Sequence, residues 1–184
     1  MENRKDNFYI ITGGPGVGKT TLITGLHHGG FETVEEEARK IIKNQIETKS
    51  EGLPWKNKKL YASLMLEASL KSYDKIIAER GLNLTFFDRG ILDSICYMKM
   101  EKIPISEKVI ELIKLYSFNK NVFILPPWKE IYETDNERKQ NWNEAESTYQ
   151  KMNETYQEFG YHTIEVPKLT TQERIKFILQ HISQ

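Results

Sequence analysis

The chain has 184 residues, 39% of them hydrophobic, and 26 Lys plus Arg balance 26 Asp plus Glu. This length and composition allow one substantial core and give no sign of a second, so a single domain over 1–184 is expected. With zero net charge no field draws the chain to nucleic acid or an anionic bilayer, and no apolar run approaches the roughly 18 residues of a membrane span. Neither partner is expected. Cys96 is the one cysteine, which rules out an internal disulfide, and Met1-Glu2-Asn3-Arg4-Lys5-Asp6 lacks a signal-peptide apolar stretch; the expected compartment is the cytoplasm.

In chain order, Phe8 to Thr12 reads as a buried strand and Thr20 to Leu26 as a helix. Between them Gly13-Gly14-Pro15-Gly16-Val17-Gly18-Lys19-Thr20 fits the Walker A pattern G-x-x-x-x-G-K-[ST] without a mismatch, in the strand–loop–helix context the motif requires. Glycines let successive N–H groups point inward as a nest for phosphate oxygens at a helix N-terminus. Residues Gly13 to Thr21 are therefore the expected ATP contact, with Lys19 along the β- and γ-phosphates and the Thr20 hydroxyl on a bridging magnesium. Lys19 is expected to face solvent in the empty loop. A dinucleotide fingerprint starting at Gly14 fails, because Lys19 stands where the third glycine must let the helix pack closely.

Gly29-Gly30 stops the first helix, Phe31 to Val34 reads as a short strand, and Glu35-Glu36-Glu37 leads into a helix through Ile41-Ile42. Residues 54 to 80 carry Leu60, Tyr61, Leu64, Met65, Ala68 and Tyr73 at three- and four-residue spacing before Gly81, a helical arm placed to wall or cover a substrate. Leu84 to Phe87 is a strand ending in Asp88-Arg89-Gly90, and Asn121 to Leu125 is another, ending in Pro126-Pro127. Asp135 to Phe159 repeats Ala145, Tyr149, Met152, Tyr156 and Phe159 with helical period, Gly160 ends the run, and His162 to Val166 is the last strand. Thr170-Thr171-Gln172-Glu173 makes a capping box for a closing helix whose core face is Ile175, Ile178, Leu179 and Ile182. About five strands alternating with helices predict an α/β parallel sheet with helices on both faces, and such sheets bind ligands beyond the carboxyl ends of their strands.

That rule selects the charged residues at the strand ends. Asp88 is placed to hold the magnesium's water shell or, as a structural alternative, to cap the helix at Ile91. Arg89 has the planar fork to clamp a phosphate or an acceptor. A carboxylate among Glu35, Glu36 and Asp88 would accept a proton from, or orient, the attacking hydroxyl, with Arg39 holding the acceptor; a surface salt bridge at a helix start also explains Glu35, Glu36 and Arg39. Asp135, Arg138 and Lys139 fall in a stretch, 127–142, expected to form a lid, from which Arg138 would stabilise the charge on the transferring phosphoryl group. Trp55, Trp128 and Trp142 read as core or rim packing, Cys96 as a buried helical residue and His27-His28 as a helix end, none of them a metal site.

The phosphate loop, Glu35-Glu36-Glu37-Ala38-Arg39, Phe87-Asp88-Arg89-Gly90 with Asp93 and Tyr97, Asp135 with Arg138, and Gly160-Tyr161 together resemble the AAA-type P-loop ATPases that are similar to the ribosylnicotinamide-kinase domain and to nucleoside and nucleotide kinases. The resemblance implies a P-loop three-layer sandwich with a helical lid, ATP and magnesium as cofactors, Glu36 as the strand-two acid, Asp88-Arg89 as the acid–arginine pair and Arg138 as the lid arginine. Those kinases usually place serine after the pair, where this chain has Gly90. The expected activity is magnesium-dependent transfer of the ATP γ-phosphoryl group to a small acceptor such as a nucleoside or nucleotide, catalysed by Lys19, Glu36, Asp88, Arg89 and Arg138. The alternative is a regulatory ATPase whose nucleotide state controls a partner protein. A ring-forming AAA motor with its added small helical domain is not expected from a chain of this length, and Asn119-Lys120-Asn121-Val122 has valine where a switch GTPase reads guanine with aspartate.

Overall fold

A computed structural model of the chain describes residues 6–80, 83–131 and 141–182. Strand β1 (Phe8–Gly13) runs through the middle of the molecule and is buried along its whole length. Its alternating side chains feed two cores. Phe8 and Ile10 join Phe87, Val122 and the helical layer containing Ala62, Tyr73, Ile95 and Tyr156 on one face. Tyr9 and Ile11 join Phe86, Phe123 and Leu125 beneath Leu22, Leu26 and Ile178 on the other. A strand covered on both sides reads as a continuous apolar run, as Phe8-Tyr9-Ile10-Ile11 does.

The remaining elements follow as α1 (Lys19–His28), β2 (Glu32–Val34), α2 (Glu37–Glu47), α3 (Lys58–Arg80), β3 (Thr85–Asp88), α4 (Ile91–Met100), α5 (Glu107–Lys114), β4 (Asn121–Leu125), a 3-10 turn (Lys129–Ile131), α6 (Trp142–Glu158), β5 (His162–Glu165) and α7 (Thr171–Ile182). The five strands form one parallel sheet in the order β2-β3-β1-β4-β5. The expected α/β three-layer architecture is thus observed. From β1 the chain first builds toward β2 and β3 on one side, then crosses to β4 and β5 on the other. The connections diverge at the carboxyl end of β1 and open a crevice there. The register places Asp88 beside Ile11 and Leu125 beside Gly13, so the loop after β1 leaves from between two neighbouring strand ends.

Several local expectations are corrected. The arm of residues 54–80 becomes helical only at Lys58, where the Asn57 side chain accepts from the Leu60 N–H at 3.0 Å, and its first residues are turns. Helix α5 went unassigned in the sequence, although Ser106 before Val109, Ile110 and Ile113 is a start signal; the Ser106 side chain accepts from Val109 N–H. Trp55 is 64% exposed, which leaves rim rather than core packing for it. Helix α6 begins at Trp142, capped by Asn141 and Glu144, and residues 132–140, with Asp135, Arg138, Lys139 and most of the expected lid, lie outside the described residues.

Candidate active site

The loop from Gly13 to Gly18 joins β1 to α1 and needs glycine at specific points. Gly13 has φ 150°, and a Cβ there would come 2.9 Å from the Leu125 carbonyl oxygen. Gly18 has φ 78° and is the left-handed N-cap of α1, and no side chain caps the helix. Helices α5, α6 and α7, in contrast, are closed at their N-termini by Ser106, Asn141 and Thr170 with Glu173. The first-turn N–H groups of α1 are thus left open, with Thr20 exposed beside them, and this is the electrostatic arrangement that takes phosphate.

Lys19 overturns one expectation. It is 6% exposed, not solvent-facing, and its Nζ lies 3.0 Å from Asp88 Oδ1 and 3.8 Å from Glu36 Oε2. The motif's spacing fixes where Lys19 starts, but the carboxylates that draw it inward come from β3 and the β2–α2 junction, which only the sheet brings close. The contact with Asp88 is an ion pair without good hydrogen-bond alignment, since Oδ1 accepts no hydrogen bond among the described residues. Burial raises the Asp88 pKa, and the neighbouring Glu36 charge adds to this against the lowering effect of Lys19. The buried Asp88 carboxylate, held by the loop's Lys19, is a donor a hard cation accepts, and the exposed Thr20 hydroxyl supplies a second oxygen, so these residues fit a magnesium ion.

Around this pair stands a connected polar network. Arg89 donates from Nε to Glu36 Oε1 at 2.6 Å and from Nη1 to Asp93 Oδ1 at 3.1 Å. Burial pushes the Glu36 carboxyl up, but Arg89, Lys19 and Arg39 together outweigh it and hold the group at about 2. Glu36 therefore stays charged and is a weak base while those cations remain. Arg89 adopts φ 75°, rare for a side-chain-bearing residue. Such strain costs about 1–3 kcal/mol and persists where surrounding contacts impose it, here two carboxylates.

Asp93 anchors the arrangement and its role was missed in the sequence. Its Oδ1 accepts from the Thr12 hydroxyl at 2.6 Å as well as from Arg89, and its Oδ2 accepts from Gly90 N–H at 2.8 Å and Tyr156 OH at 2.5 Å. The Gly90 bond, with Asp93 N–H returning to the Gly90 carbonyl, makes Gly90 the N-cap of α4, so Asp88 does not serve as the helix cap. The spacing from Arg89 to Asp93, one helical turn, is the signal that could have found it. The glycine after Asp88-Arg89 also gains a reason. A Cβ on residue 90 would sit 2.5 Å from Ile10 Cδ1 and 2.9 Å from Tyr156 OH, so a serine there would require those side chains to shift.

Beside the loop lies a cavity of about 270 Å³. Gly14, Pro15, Glu36, Asp88 and Arg89 form its loop side, while Tyr61, Met65 and Ser69 of α3 and Tyr97 of α4 wall it. Arg39 does not line the cavity; it is 61% exposed, with its Nε 3.9 Å from Glu36 Oε2. Glu35 is 76% exposed and pairs outward with Lys40 at 3.3 Å. Cys96 also lines the cavity, with burial pushing its thiol up to about 12, so it is inert as a nucleophile. Among the described residues no group of three or more His, Cys, Asp or Glu is arranged for a metal, and no helix is long and apolar enough to cross a membrane.

Comparison with solved structures finds this fold in several kinases. A deoxyadenosine kinase from M.mycoides with bound dATP superposes with a TM-score of 0.59 at 18% identity, covering 96% of this chain and 99% of that one. The NadR protein in complex with NR gives 0.70 at 14% identity, covering 96% of this chain and 52% of that one. Thymidylate kinase from Ehrlichia chaffeensis gives 0.64 at 14% identity, covering 96% and 98%. At these identities the likeness establishes the fold. A sequence comparison with curated proteins found no match. Residues 8–174 match the family described as AAA domain, AAA_28, a span that holds the phosphate loop, the acid–arginine pair and all five strands, and the chain belongs to that family.

Proposed function

We propose that this protein is a phosphotransferase that moves the γ-phosphoryl group of ATP to a hydroxyl of a small acceptor held in the cavity beside the loop. The observation that carries this reading is the juxtaposition of an uncapped, glycine-lined helix N-terminus with a cavity lined by Asp88, Glu36 and Arg89. A plain ATPase needs room only for water, whereas this cavity has the size of a small organic molecule.

In the unliganded protein Lys19 neutralises Asp88. An incoming triphosphate competes for Lys19, and the freed Asp88 carboxylate, with the Thr20 hydroxyl, would hold magnesium, which supplies charge neutralisation between the β- and γ-phosphates. Glu36, oriented by Arg89, accepts the hydrogen bond of the acceptor hydroxyl and aims it. Loss of Lys19 to the phosphates removes one of the charges that keep Glu36 acidic, so its basicity rises as the nucleotide binds. The transition state is loose and asks little of a base, so orientation is the larger contribution. Arg138 remains the lid residue we assign to the developing phosphoryl charge, and α3 the wall that covers the acceptor.

The cavity lining also favours one kind of acceptor. It carries Glu35, Glu36, Glu37, Asp88 and Asp93 against Arg89, which two of those carboxylates already hold. Among the described lining residues no free cation awaits a phosphate on the acceptor, so an uncharged nucleoside fits better than its monophosphate. The test is mass spectrometry of nucleoside and nucleoside 5′-monophosphate panels incubated with enzyme, ATP and magnesium. A species gaining one phosphoryl group is expected from the nucleosides, with Asp88→Asn cutting its rate at least 100-fold while nucleotide affinity stays within a few-fold. Hydrolysis alone, unchanged by any acceptor, would refute the transferase reading and leave the regulatory ATPase.

A further inference from the structure

Arg174 stands in the first turn of α7 and is 4% exposed. Its Nη2 donates to the Val17 carbonyl of the phosphate loop at 3.1 Å, and its guanidinium carbon lies 5.8 Å from the centre of the Trp128 ring. A Cβ on Gly18 would come 2.9 Å from its Nη1, so the guanidinium packs directly behind the loop, a second reason for glycine there. Its Nε finds no hydrogen-bond partner, and no carboxylate among the described residues pairs with it. Glu173, the adjacent acid, turns back to the Thr170 N–H and hydroxyl at 3.0 and 2.6 Å. Burial pushes the Arg174 pKa below the ordinary arginine value, and no charge among the described residues acts to restore it. A cation also sits unfavourably at the positive end of a helix dipole.

Three separate effects among the described residues thus oppose a charge at this position, and packing alone would be served by an apolar side chain. What they share is location, one peptide away from the nest. A guanidinium bonded to the Val17 carbonyl polarises the Val17–Gly18 peptide, whose other end is the Gly18 N–H, and makes that N–H a stronger donor toward an anion. We propose that Arg174 is a positioning residue for nucleotide, a fixed positive charge behind the phosphate loop whose counter-charge is the polyphosphate of a bound nucleoside di- or triphosphate. The proposal rests on residues 13–20 binding nucleotide, and it does not depend on which acceptor, or whether any acceptor, is phosphorylated.

The test combines titration calorimetry with unliganded melting for the wild type, Arg174→Met and Arg174→Gln, using ADP, MgATP and inorganic tripolyphosphate as ligands. Arg174→Met keeps an unbranched apolar stem and removes charge and donor. It is expected to weaken all three ligands tenfold or more, tripolyphosphate in the same proportion as MgATP, while the unliganded protein melts at or above the wild-type temperature. Arg174→Gln keeps a polar N–H donor, two bonds short of the position of Nη2, and removes the charge; a loss of threefold or more in ADP affinity is expected, and this variant carries the test if the Met variant does not fold. ADP affinity within twofold of wild type in the folded variants overturns the proposal, as does a lowered unliganded melting temperature with unchanged affinity. Loss of MgATP with tripolyphosphate unaffected also overturns it, since Arg174 would then be reading the base. A wild type that binds ADP but transfers no phosphoryl group counts against the transferase reading and leaves the Arg174 result standing.

Discussion

Replacing Lys19 by methionine should destabilise the unliganded protein, contrary to what a solvent-facing loop lysine would do. Lys19 Nζ lies 3.0 Å from a carboxylate with 6% of its side chain exposed and 3.8 Å from Glu36. Removing one partner of a buried pair leaves the other charge uncompensated and costs about 3–5 kcal/mol. Glu36 keeps Arg89 at 2.6 Å, so the loss falls on Asp88 and belongs at the lower end, about 3 kcal/mol. For a domain of this size that lowers the melting temperature by ~6–12 °C. The sign of the pH dependence follows from Asp88, whose pKa burial already raises and which loses the opposing effect of Lys19 in the variant. A carboxyl with a raised folded pKa contributes stability below its unfolded pKa of 3.8 and loses it as pH rises through the folded value. Acidification toward that window should therefore narrow the gap to wild type, and adding Asp88→Asn should recover most of the loss at neutral pH. Calorimetric melting of the wild type, Lys19→Met and the double variant from pH 8 down to pH 4 measures both effects. A single variant melting within about 2 °C of wild type, with no recovery in the double variant, would refute the buried-pair reasoning.

Two further predictions concern the network. Gly90→Ala forces a methyl to within 2.5 Å of Ile10 Cδ1 and 2.9 Å of Tyr156 OH, and should cost about 1–3 kcal/mol in urea unfolding; adding Ile10→Val should return part of it, and a neutral Gly90→Ala would show that the contact relaxes freely. Glu36 is held at about 2 against an ordinary 4.5, which is ~3 kcal/mol of stability present above pH 4.5 and lost as pH falls toward 2. Glu36→Gln should flatten the acid limb of the stability profile in that window, and an unchanged limb would contradict the ion pair with Arg89.

Much of the architecture was legible because it is local. The run Phe8-Tyr9-Ile10-Ile11 followed by the glycine loop marks a buried strand feeding a helix, and Thr170 with Glu173 marks the start of α7; both depend on residues a few positions apart. Boundaries drifted where a turn shares helical composition, as at residues 54–57 before Asn57 caps α3. Of the charged residues picked at the strand ends, Glu36, Asp88 and Arg89 meet while Glu35 pairs outward with Lys40, and none of these pairings was readable. Arg89 finds Glu36 from 53 positions away, and Tyr156 reaches Asp93 from 63.

The order of residues alone determined the phosphate loop and the alternation that makes a parallel sheet, because backbone geometry and hydrophobic period act within one element or its neighbours. The strand order β2-β3-β1-β4-β5, the burial of Lys19 and the seating of Arg174 against Val17, 157 positions earlier, were decided only by the tertiary structure. The physical reason is that charge compensation depends on distance in space. A lysine and an arginine that look alike in the sequence differ here because the fold gives one a carboxylate and the other the back of the loop.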